Sequence, residues 1–581
     1  MITLVPNADT STRYLEEIMR HAGLACRWKG LSALDASDGI IVLTGHDPIG
    51  SADRDRLTEL VRSGAALVVT GGTVGLDELV GALPTGPAAE SYLTDMDSRH
   101  AVTAGIHAPL HGFEATPLRA TTGMSLARLM NGEMAAALGD GIVVSRQGQG
   151  ATIAIAINIP ASVLHIQNGT PVHADGDPSP DGTAPLDDGI LKAEDGLVLS
   201  WKHDRLRTAE GPVPACAGID PAYPAGDTPW FAVPIADELR LLLLQAIAWA
   251  AGQAGRTLAM LQEWPDGHDA VAMMSHDSDL NLDASAHTTL RMLDEAGITS
   301  TWCHMWGPTY PDTYERGTFP MIRDAGHELA LHYNAFDRDG GEWGREHLAW
   351  QAAFVRNEAG VDSFTSNKNH YTRWEGHVDF YHWLVDEGIE IDQSRGPSKK
   401  GTVGYPFGSS LPTMPLDPGT GRFIDVLELP LQFQDLSLTT PPYMAATTRE
   451  QARRHRGVAH YLFHQIHLHT KPDVADAFRH LIGDVHEAGM EWWTCERIND
   501  WVRTRRLVTL RVDGNRVRIT SPLAVSGATI AILPPGGTPV ERMRITTGSG
   551  ACAVSAGERW NQPVAIVQLD LAAGETVLKL E

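Results

Sequence analysis

Along the first 255 residues, short apolar runs alternate with amphipathic stretches of helical length. A helical stretch, Tyr14 to Ala22, leads to the apolar run Gly39–Thr44 (GIIVLT) and a polar-capped helix, Ser51 to Ser63. A second run, Ala65–Thr70 (AALVVT), ends in Gly71-Gly72-Thr73. Continuous apolar runs separated by helices predict a parallel sheet covered on both faces. An alternating strand, Gly150 to Asn158, and an apolar helix, Glu238 to Ala251, complete this part. Between them, from about His165 to Pro234, the chain is rich in Pro, Gly and Asp and reads as a long loop or insertion. A second alternation of strand and helix starts after the turn-like WPDGHDA and runs from Glu263 to Arg505. The final stretch changes to a period of two: VTLRVDGNRVRIT predicts a hairpin around Asp513-Gly514-Asn515, and ATIAILPP, VAIVQLDL and ETVLKLE continue the alternation. The expected fold is therefore α/β, in three domains: residues 1–255 with a parallel sheet, 256–505 with a second alternating unit, and 506–581 as a small β-sandwich.

Charge narrows the partners. The chain has 581 residues, with 46 Lys and Arg against 72 Asp and Glu, a net charge of −26. Such an excess repels phosphate backbones and anionic membrane surfaces, so neither nucleic acid nor membrane is an expected partner. The start, MITLVPNADTSTRYLEE, has no basic, apolar and small-residue signal, and a cytoplasmic location is expected. The apolar segment Leu239 to Gly252 falls short of the ~20 residues that a membrane span needs and reads as a buried helix. Five scattered cysteines without a CxxC pair argue against a disulfide framework and a thiolate zinc site, and each reads as a reduced core thiol. Histidine is uneven: 17 of 25 lie between His268 and His486. That bias points to a site built on imidazole.

The strand beginning at Ala270 ends in Ser275-His276-Asp277-Ser278-Asp279. Ligands meet α/β proteins at the carboxyl ends of parallel strands, which delivers Asp277 and Asp279 to the working edge, one suited to act as base and one as metal ligand. Helix capping near Asp283 is the structural alternative. Another strand, GHELALH, carries His332 at its terminus while Leu329 and Leu331 share a face and pack. Asn369-His370-Tyr371 and a run expected as one strand, His460 to His469 (HYLFHQIHLH), end further units of the same kind.

SHDSD, GHELALH, the NHY segment, VDFYHWLVDEGIEIDQS, the histidine-bearing HYLFHQIHLH and the closing GMEWWTCERINDW together resemble the polysaccharide deacetylase (NodB-homology) superfamily over about 240 residues. The resemblance implies a distorted barrel of parallel strands and helices, and a divalent cation, usually zinc, held by one Asp and two His. It implies Asp277 as catalytic base, Asp279 as the metal aspartate and His332 as the first metal histidine. Four residues after His332 stands Phe336 in place of the usual second histidine. His370 is then the third ligand, with Asp337 the other choice. The superfamily's acid is a late histidine, His464 or His467, the former preferred. Asp392 is expected beside the site, orienting Asp277 or His464, and Trp306, Tyr371 and Trp374 are expected to stack on sugar rings.

The first part, through GIIVLTGHDPIGSADRDRLTELVRSGAALVVTGGT, RHAVTAGI and AIAWAAG, resembles the class I glutamine amidotransferase-like fold. Its elbow-like Gly71-Gly72-Thr73-Val74-Gly75 has no cysteine and reads as a tight turn, which implies a non-catalytic module for assembly into a homo-oligomer or for substrate presentation. The expected activity is metal-dependent removal of N-acetyl groups from an amino-sugar carbohydrate. The alternatives are an amidase on a small amide or ureide, and an inactive carbohydrate-binding scaffold.

Overall fold

Runs rich in Val, Ile and Leu form strands that bury both faces, because branched side chains pack well on a pleated surface. In the computed structural model, which describes all residues except 207–228, 280–281, 307–313, 315–316, 399, 537 and 549, Ile40–Thr44 and Ala66–Thr70 are buried throughout and lie side by side in parallel. Ile2–Leu4 and Cys26–Trp28 extend this sheet on one side, and Gly150–Ile155 pairs in parallel on the other. Beyond it the sheet turns antiparallel, through Ala137–Gln147, Met124–Asn131 and Ala89–Thr94. The buried helix Ile235–Gln253 packs on the parallel strands. Among the described residues no helix is long and apolar enough to cross a membrane. Cys303 and Cys495 are buried thiols, whereas Cys26 and Cys552 are only half-buried; Cys216 lies outside the described residues.

The expected loop begins after the helix Ile159–Asn168. From there the chain crosses to the central part, where Val172 pairs with Gly376 and Lys192 with Arg373 through backbone bridges, and Glu194 accepts a hydrogen bond from the Ser398 amide at 2.7 Å. Its far end is fixed to the first sheet. Asp204 and Glu90 flank His111, at 2.7 Å from Nδ1 and 3.0 Å from Nε2, and Tyr92 stacks on the imidazole.

The central part carries one parallel sheet. In spatial order its strands are Leu427–Glu428, Ile391–Asp392, Ser366–Asn369, Glu328–Tyr333, Thr301–Met305, Val271–Asp277, Val458–Leu462 and Phe433–Gln434, with Glu491–Trp493 also against Val271–Asp277. The end strands Leu427–Glu428 and Phe433–Gln434 do not pair with each other, so among the described residues the sheet is a half-barrel. The residues expected as one strand from His460 to His469 divide: the strand stops at Leu462 and a helix, Gln465–Thr470, follows. The last residues form two antiparallel sheets that share one apolar cluster. Gly514 at φ 58° makes the expected hairpin turn, and Leu258–Leu261 joins this region by pairing with Val525–Leu533.

The His111 cluster gives a pH test of the first part. Burial opposes the charge on this imidazole, but Asp204 and Glu90 outweigh it and raise the group to about 9. An unfolded chain releases that proton near ~6.5. The stabilisation is therefore complete below about pH 6.5 and is lost as the pH rises through about 9, an effect of the order of 3 kcal/mol. The thermal midpoint of the intact chain is expected to fall over that window more steeply than that of His111→Asn; parallel slopes would show that His111 is neutral in the folded protein.

Candidate metal centre

Neighbouring parallel strands deliver the chemistry to one edge. Val271–Asp277 ends at Asp277 with Asp279 two residues on, Glu328–Tyr333 carries His332 in its last turn of pleat, and Ser366–Asn369 leads directly to His370. Asp279 Oδ1 lies 3.5 Å from His332 Nε2 and 3.9 Å from His370 Nε2, and one donor atom of each falls within 4.8 Å of the others. Tetrahedral zinc with bonds of ~2.0–2.1 Å separates its ligand atoms by about 3.3 Å. The observed spacing needs only small side-chain motion to reach it.

Second partners settle which atoms face inward. His332 Nδ1 donates to the Lys368 carbonyl at 2.9 Å, and His370 Nδ1 pairs with Asn334 Oδ1 at 3.1 Å. Both rings therefore present Nε2 lone pairs to the gap, as ligating histidines do. His332 Nε2 and Asp279 Oδ1 are buried without a hydrogen-bond partner. Buried polar atoms are rarely left unpaired, and three acceptors turned on one another fit a cation. The residues thus suit a divalent ion. Burial holds the His370 imidazole down at about 4 despite the nearby Asp279, so it is a neutral ligand at pH 7.

Asp277 stands beside this group, its Oδ2 3.7 Å from His332 Nε2. Its Oδ1 is 3.1 Å from Lys368 Nζ, which also donates to Ser275 Oγ at 2.7 Å. Burial would raise the carboxyl, but Lys368, His332 and His464 hold it below the usual carboxylate range. His464 Nε2 faces both carboxylates, at 4.0 Å from Asp277 and 3.7 Å from Asp279. Its Nδ1 donates to Asp435 at 2.6 Å, and the same Asp435 oxygen is 2.8 Å from His467 Nδ1. Burial opposes protonation of His464, yet Asp435 and Asp279 raise it to about 10.

Several expectations change. Asp337 is exposed and outside the ligand group, and the nearby carboxylate is Asp339, 3.8 Å from His370 Nδ1. Asp392 orients neither Asp277 nor His464: it is buried and accepts from Asn367 and Ser394, and Asp435 does the orienting. Trp374 is 1% exposed, with Arg395 over its ring at 4.3 Å, and has no face for a sugar. Trp306 is half-buried and packs edge-on against Trp350. Tyr371 is 46% exposed and its ring sits 4.2 Å from that of His370. Lys368 and Asp435 were missed. The signal for Lys368 was Ser-Asn-Lys-Asn in a strand position, where four buried polar residues imply a polar network. Asp435 follows a strand of only two residues, too short to show a period.

No protein-family model matches the sequence, and no curated protein matches it. Among solved structures, the carbohydrate deacetylase Agd3 is similar over 100% of this chain and 98% of its own, at 11% identity and a TM-score of 0.40. A provisionally named polysaccharide deacetylase from Mycobacterium smegmatis is similar over 43% of this chain and 96% of its own, at 19% identity and a TM-score of 0.32. A β-galactosidase from Rahnella sp. R3 is similar over 27% of this chain and 28% of its own, at 11% identity and a TM-score of 0.23. Likeness at this level is loose, and the chemistry of the centre rests on the chain's own side chains.

The purified protein is expected to hold about one divalent ion per chain, measured by elemental analysis after dialysis. Asp279→Ala, His332→Ala and His370→Ala should each weaken metal affinity by at least about tenfold, while Asp337→Ala leaves it unchanged. Equal metal content in all four variants would remove the assignment.

Proposed function

We propose that the chain is a metal-dependent hydrolase that removes acetyl groups from an N-acetylated amino sugar, in a polymer, oligomer or glycoconjugate. The observation that supports this reading is the grouping of Asp279, His332 and His370 with the Asp277 carboxylate on one side and the His464 imidazole on the other. Asp279, His332 and His370 would hold the cation, taken to be zinc from the mixed nitrogen and oxygen donors. When bound, it polarises the acetyl carbonyl and makes a water acidic enough to lose its proton near pH 7.

Asp277 accepts that proton. Lys368 keeps the carboxylate ionised and occupies Oδ1, which leaves Oδ2 on the triad side as the basic atom. The attacking oxygen adds to the acetyl carbon, and collapse breaks the C–N bond. His464 then gives its Nε2 proton to the departing amine, so acetate and a free amine leave together with overall uptake of one water. Asp435 holds the Nδ1 side of that ring, which points Nε2 at the reacting centre. His467 shares the same carboxylate oxygen but has no contact with Asp277 or Asp279 among the described residues, so His464 is the acid in this scheme. Tyr371, exposed beside His370, offers a ring for a sugar face. The first part, whose Gly71-Gly75 turn holds no nucleophile, is assigned a supporting role in assembly or substrate presentation.

Asp277→Asn keeps the shape of the side chain and the metal ligands but cannot take a proton at neutral pH. Metal should stay bound while deacetylation of N-acetylated sugar oligomers falls by at least about 10²-fold; near-normal turnover would exclude Asp277 as the base. Asp435→Asn should likewise spare the metal and lower turnover about 10- to 100-fold through loss of His464 orientation, with the loss in kcat rather than KM. A shift confined to KM would assign Asp435 to substrate binding instead.

A further inference from the structure

Arginines gather at one place apart in sequence from Asp279, His332 and His370. A cavity of about 560 Å³ opens where the helix Tyr14–His21, the helix Cys495–Arg506 and the strand Thr509–Asp513 come together. Five arginines line it, Arg20, Arg505, Arg506, Arg511 and Arg518, against two glutamates, Glu16 and Glu575. In a chain of net charge −26, such a concentration of guanidinium groups is not a compositional accident.

Arg505 is the central group. It is 5% exposed, and its guanidinium donates only to main-chain carbonyls, those of Gln262 at 2.8 Å, Leu261 at 2.7 Å and Arg20 at 3.3 Å. Among the described residues no carboxylate oxygen lies within 4.0 Å of it. Burial draws the group down to about 10, which still leaves it a cation at pH 7. The fold makes room for this charge: Gly23, at φ 66°, would place a Cβ 2.8 Å from Arg505 Nη2 and 1.9 Å from the Leu261 carbonyl. Glu263 and Glu17 offset part of that burial from beyond contact distance, but a buried cation with no carboxylate in direct contact keeps part of its desolvation cost. An anion in the cavity would remove that cost.

The rim can rearrange to meet such a ligand. Arg20 pairs with Glu16 at 2.6 Å, Arg518 with Glu575 at 2.9 Å and Arg511 with Asp513 at 3.0 Å, and the three arginine side chains are 52%, 36% and 65% exposed. Pairs this exposed contribute little and exchange readily for a multiply charged partner. Arg506, bound to the buried Glu17, does not exchange and holds the floor. Leu24, Leu261, Val508 and Leu510 add apolar groups to the lining.

We infer that this cavity binds an organic phosphate, its phosphate group taken by Arg505 and the rim arginines and its less polar body resting on Leu24, Leu261, Val508 and Leu510. A single carboxylate fills one guanidinium fork, whereas a phosphate dianion has enough acceptor oxygens for several. The volume also exceeds what a bare oxyanion fills. Nothing in this inference depends on the activity proposed for the metal centre.

Isothermal titration of the full chain at low salt, with inorganic pyrophosphate, ADP and glucose 1-phosphate as probes, tests it. Saturable binding with a Kd below about 1 mM is expected for pyrophosphate, weakening as salt is raised. Tighter binding of ADP or of glucose 1-phosphate would identify the body as a nucleoside or a sugar; if neither binds more tightly than pyrophosphate, the organic part of the inference fails. The double variant Arg511→Gln, Arg518→Gln alters exposed side chains, and its melting curve checks that the fold persists. It should weaken binding at least tenfold, while Arg291→Gln, on an exposed helix surface, should not. Asp279→Ala should bind pyrophosphate as the parent does. No saturable binding, equal affinity in the double variant, or loss in Asp279→Ala, which would move the site to the metal centre, each overturns the inference.

Discussion

Asp279 Oδ1 and His332 Nε2, both buried without a hydrogen-bond partner, face one another and His370 Nε2. With ring nitrogens turned toward the carboxylate oxygen, a cation among them would satisfy all three. Around them, each imidazole is fixed by its other ring nitrogen. The Lys368 carbonyl holds His332 and the Asn334 amide holds His370, while the Lys368 ammonium reaches across to Asp277. One lysine thus holds His332 through its main chain and Asp277 through its side chain. A buried ammonium is tolerable only because the carboxylate beside it stays ionised, so the charge state of Asp277 and the integrity of the strand edge support each other.

The parallel sheet explains why residues so distant in sequence meet. Phe433–Gln434, Val458–Leu462, Val271–Asp277, Glu328–Tyr333 and Ser366–Asn369 bring Asp435, His464, Asp277 with Asp279, His332 and His370 to their carboxyl ends. His464 and Asp435 stand on one side of Asp277, and His332 and His370 on the other.

Much of this was legible from residue patterns. Strand ends rich in Asp and His announced themselves because apolar alternation stops there and ionisable groups begin, as in Ala270 to Asp279 and Gly326 to His332. Where alternation misled, helical spacing was the competitor: His464 and His467 are three residues apart, and the turn of chain after Leu462 brings both onto one oxygen of Asp435. An extended strand would have sent them to opposite faces. Aromatic residues were the least legible. Trp374 and Tyr371 are near neighbours in sequence, yet one lies in the core and the other is exposed, a difference set by tertiary packing and not by residue type. The antiparallel half of the first sheet left no clear pattern, since register shifts interrupt its pairing between Ala137 and Val143.

Directly after His370 the backbone takes two successive left-handed residues, Tyr371 at φ 58° and Thr372 at φ 52°. Side chains seldom adopt that conformation, and each instance costs on the order of 1 kcal/mol or more. The segment that follows is tied down from outside its own sheet: Trp374 donates its amide to the Leu191 carbonyl at 3.1 Å, and Gly376 and Val172 exchange hydrogen bonds at 2.8 and 2.9 Å. Those partners belong to the crossing that starts from the first part of the chain. The backbone after His370 is therefore braced by a stretch of polypeptide that precedes it by about 180 residues in sequence and is docked across the central sheet. An excised central unit would carry Asp279, His332 and His370 and yet lack the stretch that braces the backbone after His370.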